Sequence, residues 1–444
     1  MKNNRPFITD TLVIGFTLFA TFFGAGNLVF PPYMGIQSGN AWILAIIGLA
    51  LTGISLPILS IVGVVKGGGS TEKLMSPISK KFYLAFNILT MYLISTLILV
   101  PRTGATTYEV GFLPHFPNLP SIYVQVAFFA LTFILCVDKE SVVDKIGKYL
   151  TPVLLLIVFF IMIFGIFNPL GGLNQPQIEA PFQWSFIQGY QMGDLVTGLL
   201  FSGVLMKTIS SKGYNKSEGG KMILYASLIS FVLLLLIYGS LLRIGATTST
   251  LLSPDMDRTA ILTTIVNKIL GRTGGIALSA SVSLACLTTA VGFTTAISTF
   301  TVELFKNKIP YKVVVAAVCI FCTIQGALGV EKIIGLSEPF FAIAYPLGII
   351  FIVKGFFGKY LTSISAWRGA VFLTLAYTLF HAFSIVNLGG DLVLNLIDFI
   401  PLGAEGFGWI PISIIGFIVG TIASKVSQKD PGLLKSEHSN IEKF

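Results

Sequence analysis

Long apolar runs recur from one end of the chain to the other, and no other feature limits its folding as strongly. A helix needs about 20 mostly apolar residues to cross the ~30 Å hydrocarbon core of a bilayer. Twelve segments reach or approach that length: 9–37, 41–65, 82–110, 121–137, 149–168, 187–208, 222–243, 274–305, 312–330, 333–357, 363–387 and 407–426. Those at 121–137 and 312–330 are short. Only 11% of the 444 residues are charged, against roughly 25% in soluble domains. A soluble fold is excluded. The expectation is an all-α polytopic membrane protein with 12 transmembrane helices.

The formal charge of +9 points to topology rather than to nucleic acid. With the N-terminus inside, the basic residues fall at cytoplasmic positions except Arg102, Arg243, Arg258, Lys268, Arg272 and Lys332. That asymmetry is the positive-inside bias, and it places both termini in the cytoplasm. No basic residue interrupts 149–206, as an external loop near 169–186 requires. The first segment is too long for a signal peptide and is expected to be retained. The stretch 138–145, with alternating charges, reads as a solvated inner loop, and the tail after Ser427 as polar and disordered.

The first segment contains an anomaly. Phe22-Phe23-Gly24-Ala25-Gly26-Asn27 interrupts an otherwise apolar helix, and Pro31-Pro32 follow as an expected outer stop. From Thr9 to Phe23 a helix rises about 22 Å, so the interruption lies inside the bilayer. Broken backbone at that depth is tolerated where it lines a cavity. Segment six carries a comparable pattern, with Gly189, Gly193, Gly198 and Gly203 beside Asp194, Thr197 and Ser202. Interrupted helices in matching positions of two halves mark the binding site of a secondary transporter. Close packing through small residues such as Gly189 and Gly193 is the alternative reading of segment six.

Other polar features have plainer explanations beside functional ones. Gly67-Gly68-Gly69 lacks the Lys-Ser/Thr ending of a phosphate loop and reads as a flexible linker. Cys319 and Cys322 have no second metal-binding pair, so packing is expected of them and of Cys136 and Cys286. Segment eight carries Leu287-Thr288-Thr289-Ala290. Membrane threonines commonly bond the carbonyl one turn back, yet two adjacent hydroxyls at mid-depth also suit an oxygen-ligated cation. The external stretch 244–272 reads as a lid or as a loop.

Phe23-Gly24-Ala25-Gly26-Asn27-Leu28-Val29-Phe30-Pro31-Pro32 resembles the corresponding stretch of the bacterial branched-chain amino acid:cation symporter family. Pro101-Arg102-Thr103 and Leu287-Thr288-Thr289-Ala290 resemble that family's other recurring stretches. The resemblance spans the chain. It implies the leucine-transporter fold: a five-plus-five inverted repeat, here 9–168 and 187–357, two extra helices in 363–426, a cytoplasmic tail 427–444, and discontinuous helices 1 and 6. It also implies uptake of leucine, isoleucine and valine by sodium symport through the cell membrane, with no organic cofactor, no nucleic acid and no obligate protein partner. By this likeness Phe23, Gly24, Ala25, Gly26 and Asn27 meet the substrate, and Phe201-Ser202-Gly203 is the unwound part of helix 6. Thr288 and Thr289, with carbonyls near Ala20 and Phe23, ligate sodium, and Asn27 matches a ligand of a second sodium.

A zwitterionic substrate needs amide donors for its carboxylate and oxygen acceptors for its ammonium group, which broken helix ends supply. Phe201 and Phe293 are candidates to line the aliphatic pocket. Asp194 and Arg102 sit near the outer ends of their segments, where they meet as a gate or else each reach interfacial water. Asp194 also keeps proton coupling open as an alternative. Glu303 reads as an interfacial charge, Glu338 as a lesser transport candidate and His381 as a packed histidine. An enzyme would need a cluster of acids, histidines or a nucleophile–base pair, and three scattered histidines do not provide one. A channel would show a continuous polar lining, whereas the polar groups gather on segments one, three, six and eight.

Overall fold

The structure is a computed structural model, and it describes residues 7–24, 27–137, 142–388 and 390–428. The expectations for the terminal tails, for Ala25 and Gly26, and for 138–141 lie outside the described residues. Among those described, every regular element is helical. Seven helices are long and apolar enough to cross a membrane, and a bent pair makes an eighth. They include α2 (Phe30–Lys66), α3 (Lys80–Phe112), α8 (Ser217–Thr247), α9 (Arg258–Leu304), α11 (Val330–Phe357), α12 (Ile364–Ile385) and α13 (Trp409–Val426). The bent pair is α6 (Pro181–Met192) and α7 (Asp194–Ser211), which meet at 44°. Shorter apolar helices are α1 (Phe7–Phe22), α4 (Ser121–Val137), α5 (Leu154–Phe167) and α10 (Tyr311–Gly326).

Two boundaries differ from those read in the sequence. Pro31 and Pro32 do not stop a helix; they lie in the first turn of the one that opens at Phe30. A proline ring lacks the N–H that the first turn leaves unpaired anyway and presets a helical φ, so it starts a helix as readily as it ends one. Phe201, Ser202 and Gly203 are not an unwound segment. They continue α7, where the Ser202 hydroxyl donates to the Leu199 carbonyl at 2.8 Å. The irregularity lies at Gly193.

The chain divides into two compact units. One comprises Met1–Ile58, Asn87–Gly198 and Ile209–Phe341. Within it α8 packs along α1 and the Phe30–Ser38 stretch, α9 along α5, and α10 along α4. Its largest fully buried side chains include Tyr238, Phe19, Phe22, Phe30 and Phe129. The other unit comprises Leu59–Phe86, Leu199–Thr208 and Ala342–Phe444. Its α12 and α13 cross closely, with Gly369 against the Gly416 carbonyl. Helix α9 holds one non-helical residue, Gly271, which separates Arg258–Leu270 from the longer run behind it. The stretch 244–272 is thus helical from Arg258 to Leu270.

Candidate substrate and ion site

The helix α1 ends where its backbone ladder ends. Phe23 makes the last helical bond, its N–H donating to Phe19 O at 2.7 Å, and the Asn27 N–H then turns back to Gly24 O at 2.9 Å. A helix terminus leaves carbonyls without partners. Here the Phe22 carbonyl accepts from the Tyr238 hydroxyl and from Asn27 Nδ2, each at 3.2 Å. Tyr238 is fully buried and Asn27 nearly so. The Phe23 ring stacks on Phe19 with centroids 4.9 Å apart. Gly24, beside these anchored groups, is half-buried.

The second irregularity is tighter. Gly193 takes φ +81° and ψ 2°, a left-handed conformation that glycine reaches without a Cβ penalty. An added Cβ would lie 2.8 Å from Leu99 Cδ2 and 3.2 Å from Phe341 Cζ. Gly189, by contrast, is a packing position, since a Cβ there would meet Thr52 Oγ1 at 2.1 Å. Segment six is thus bent at Gly193 and closely packed at Gly189. Asp194 opens α7, where a carboxylate suits the positive end of the helix dipole.

Arg102 joins the two places. Its Nη1 donates to Gln191 O at 2.6 Å and its Nη2 to Met192 O at 3.0 Å, taking up carbonyls left at the end of α6. Nη2 also donates to Asn27 Oδ1 at 3.3 Å, while Asn27 Nδ2 donates to both Asp194 carboxylate oxygens at 2.9 Å. Arginine suits this task because its planar fork serves several acceptors at once. The Phe30 ring lies 5.5 Å from the guanidinium carbon. Arg102 and Asp194 are each 5% exposed, so the expectation that each reaches interfacial water does not hold. The helix carrying Arg102 runs on to Phe112, with wide π-type turns at 89–99 and 107–112 on either side of it. The two charges meet through Asn27, deep in the protein.

The other sequence candidates are placed separately. The hydroxyls of Thr288 and Thr289 both donate to Ala285 O, at 2.9 and 3.0 Å, and both residues are half-buried. Their lone pairs stay available to a hard cation, for which oxygen ligands are the suitable chemistry. Phe293 is buried and Ala20 exposed. Among the described residues no cluster of three His, Cys, Asp or Glu side chains is suited to a metal ion. Glu303 and Glu338 are exposed. The His381 ring lies 6.0 Å from that of Tyr377 in a stacked arrangement. Cys322 is fully buried, its thiol directed at Thr96 O.

Several residues at this joint gave little sequence signal. Tyr238 stands at the end of a leucine-rich run with nothing to set it apart from the other hydroxyls of its segment, and Gln191 accepts from the buried Ser337 hydroxyl. Two further clusters fasten the ends of the same unit. At one, Lys212 pairs with Asp10 at 2.6 Å and Tyr214 donates to the other Asp10 oxygen at 2.7 Å. That bond raises the Tyr214 phenol above its ordinary value of 10.0. At the other, Arg258 pairs with Glu331 and packs 4.2 Å over the Tyr33 ring. Next to it Thr259 donates to Glu109, which also accepts the Val330 N–H.

Comparison with known proteins fixes what this assembly belongs to. Residues 8–427 match the family model described as branched-chain amino acid transport protein. The chain belongs to that family. It is 32% identical over 440 residues to branched-chain amino acid permease BraB of Bacillus subtilis, covering 95% of this chain and 97% of that one. It is 31% identical over 415 residues to the branched-chain amino acid transport system 2 carrier protein of Pseudomonas aeruginosa, covering 91% and 94%. Its relatives are permeases and carriers, so the protein is a membrane transporter and not an enzyme. The fold matches the solved structure of MhsT in complex with L-phenylalanine, with a TM-score of 0.55 and 16% identity over 93% of this chain and 98% of that one. It also matches Mhp1, a nucleobase-cation-symport-1 family transporter, with a TM-score of 0.53 and 13% identity over 95% and 93%. The chain thus shares the fold of these transporters.

Proposed function

We propose that the protein imports leucine, isoleucine and valine by symport with sodium, through alternating access. The observation that carries this reading is the buried Arg102–Asn27–Asp194 cluster, which ties the end of α1 to the α6–α7 bend beside a half-open Gly24. Exposed backbone groups at two helix breaks are what a zwitterion needs, since amide donors meet the carboxylate and carbonyls meet the ammonium group. In this reading α1 with the Phe30–Ser38 stretch forms one discontinuous span, and α6 with α7 forms the other. Counting the four shorter helices then gives twelve spans. They group as inverted repeats at 9–168 and 187–357 with two added helices in 363–426, and both termini lie in the cytoplasm of a bacterial cell membrane.

Phe23, Gly24, Ala25, Gly26 and Asn27 contribute to the substrate site, and the clamped bend at Gln191 to Gly193 positions the helix 6 side of it. Phe201, Ser202, Gly203 and Phe293 are proposed for the pocket wall. Sodium is held by Thr288 and Thr289 with the carbonyls of Ala20 and Phe23, and Asn27 is the candidate ligand for a second ion. Arg102 and Asp194 form the gate, joined through Asn27. Coupling requires that each ligand favour the other's binding, which is reciprocal by thermodynamic necessity.

The test is counterflow and uptake of labelled leucine in proteoliposomes, with and without an inward sodium gradient. Saturable, sodium-stimulated uptake competed by isoleucine and valine is expected. Proton coupling is the second reading, and the titratable carboxylate of Asp194 at the centre of the joint favours it. Uptake driven by a pH gradient and indifferent to sodium would decide for it. Uptake indifferent to both gradients would overturn coupled transport.

A further inference from the structure

A second site lies in the unit of Leu59–Phe86, Leu199–Thr208 and Ala342–Phe444, and none of its lining residues is among those assigned above. Helix α2 and helix α11 cross there with almost no side chain between them. A Cβ on Gly355 would lie 2.2 Å from Gly63 O, and one on Gly67 would lie 3.4 Å from Gly355 Cα. That approach brings the lysines at both helix ends to one place. A cavity of about 400 Å³ opens beside the crossing, and Lys66, Lys354 and Lys359 all line it. Its volume falls in the ordinary range for small-ligand pockets.

Among the described residues no Asp or Glu lines this cavity. Lys354 is half-buried, and its Nζ donates one bond, to Leu74 O at 2.6 Å, leaving two of its three N–H groups. Lys66 Nζ lies 4.5 Å from the centroid of the Phe356 ring, which leaves the ammonium group without a carboxylate at that contact. Trp367 forms a firm wall, since its indole N–H is fixed on Leu361 O at 2.8 Å. Thr362 also lines the space. Lysines near helix C-termini commonly complement the dipole, but that accounts for single lysines spread over separate ends. Three lysines lining one cavity, with no carboxylate among its lining residues, give it a positive potential that favours an anion as its occupant.

The geometry points to a binding site for a phosphate-bearing anion, and its place at the ends of two spans makes an anionic phospholipid headgroup the source. Basic pockets between helix ends hold such headgroups on the cytoplasmic side. Only the leaflet depends on the topology proposed above; the site's chemistry is independent of the transported substrate. Three lysines facing one headgroup give a preference for anionic over zwitterionic lipid of about a hundredfold.

Full-length protein is reconstituted in nanodiscs of graded phosphatidylglycerol in phosphatidylcholine, and bound lipid is measured by native mass spectrometry after mild release. Wild type is expected to retain phosphatidylglycerol in preference to phosphatidylcholine. The Lys66→Gln/Lys354→Gln/Lys359→Gln variant should lose that preference, and the three-arginine equivalent should keep it. Should the triple variant unfold, Lys66→Gln/Lys359→Gln alters only the two exposed lysines and should lose about twentyfold. In a parallel arm, inorganic phosphate is titrated against lipid-free protein. Saturable phosphate binding lost in the same variant, without lipid preference, would assign the site to a free phosphate instead of a headgroup. Equal retention of both lipids by wild type and variant, with no phosphate binding, would overturn the site. Leucine uptake in the same preparations separates this outcome from failure of the transport reading.

Discussion

The two helix irregularities solve one problem by opposite means. At the end of α1 the helical ladder stops at Phe23, the orphan Phe22 carbonyl is met by two side chains, and Gly24 stays half-exposed. At the α6–α7 bend a single left-handed glycine suffices, and a charged side chain from α3 takes up the carbonyls of Gln191 and Met192. The first is an open site with its supports set to one side; the second is a clamped joint. Asn27 belongs to both, accepting from the clamp and donating to Asp194 beyond the joint. Ligand contacts are therefore expected at the first break and mechanical stability at the second.

Removing the clamp should have the largest effect. Arg102→Met leaves the Gln191 and Met192 carbonyls without these donors, and a buried unpaired group costs about 1–3 kcal/mol. A marked fall in thermal unfolding midpoint and loss of leucine uptake are expected. Arg102→Lys should recover little, because an ammonium group cannot present the planar fork. A methionine variant with wild-type unfolding would show that the joint is not held there.

Gly193→Ala comes next. The left-handed conformation costs a non-glycine residue about 1–2 kcal/mol, and the new methyl overlaps Leu99. Uptake should fall to background with moderate destabilisation, whereas Gly203→Ala, where a Cβ meets nothing within 4 Å, should leave stability unchanged. Equal stability of both variants would remove the distinction between the two glycines.

That distinction also marks where the sequence stops being legible. The long apolar runs alone dictate the helical membrane fold, and two glycines with an asparagine in such a run expose the first break. The second break offers four glycines of equal appearance, at 189, 193, 198 and 203. What separates them is the company each keeps, Thr52 at one and Leu99 with Phe341 at another, and these come from distant parts of the chain. The types of Arg102 and Asp194 singled them out, but their meeting through Asn27 required the fold. Pro31-Pro32 misled for a local reason: the same missing N–H serves a helix start and a helix stop.

Asn27 tests whether the two regions act as one. Asn27→Asp places a second carboxylate beside Asp194, where two buried like charges are unfavourable, and uptake should fall at least about tenfold, equivalent to ~1.4 kcal/mol. The exchange Asn27→Asp with Asp194→Asn restores one amide and one carboxylate across the same contact. Partial recovery of uptake in the double variant, measured as a double-mutant cycle, is the expected sign of direct coupling. Additive losses would mean that the open site and the clamp work independently.

The smallest effect on stability, and the sharpest on function, is expected at Gly24. Among the described residues a Cβ built there meets only Asn27 Nδ2, at 3.8 Å, an ordinary contact. Gly24→Ala should therefore shift unfolding by no more than about 0.5 kcal/mol, and Gly24→Leu should still insert into the membrane. Uptake should decline through the series from glycine to alanine to leucine, because the added carbons occupy the space where backbone groups meet the substrate. A flat uptake series with flat stability would reduce the α1 break to packing. A graded loss of uptake without loss of stability separates the open site from the clamped one, since no substitution at Gly193 is expected to show that pattern.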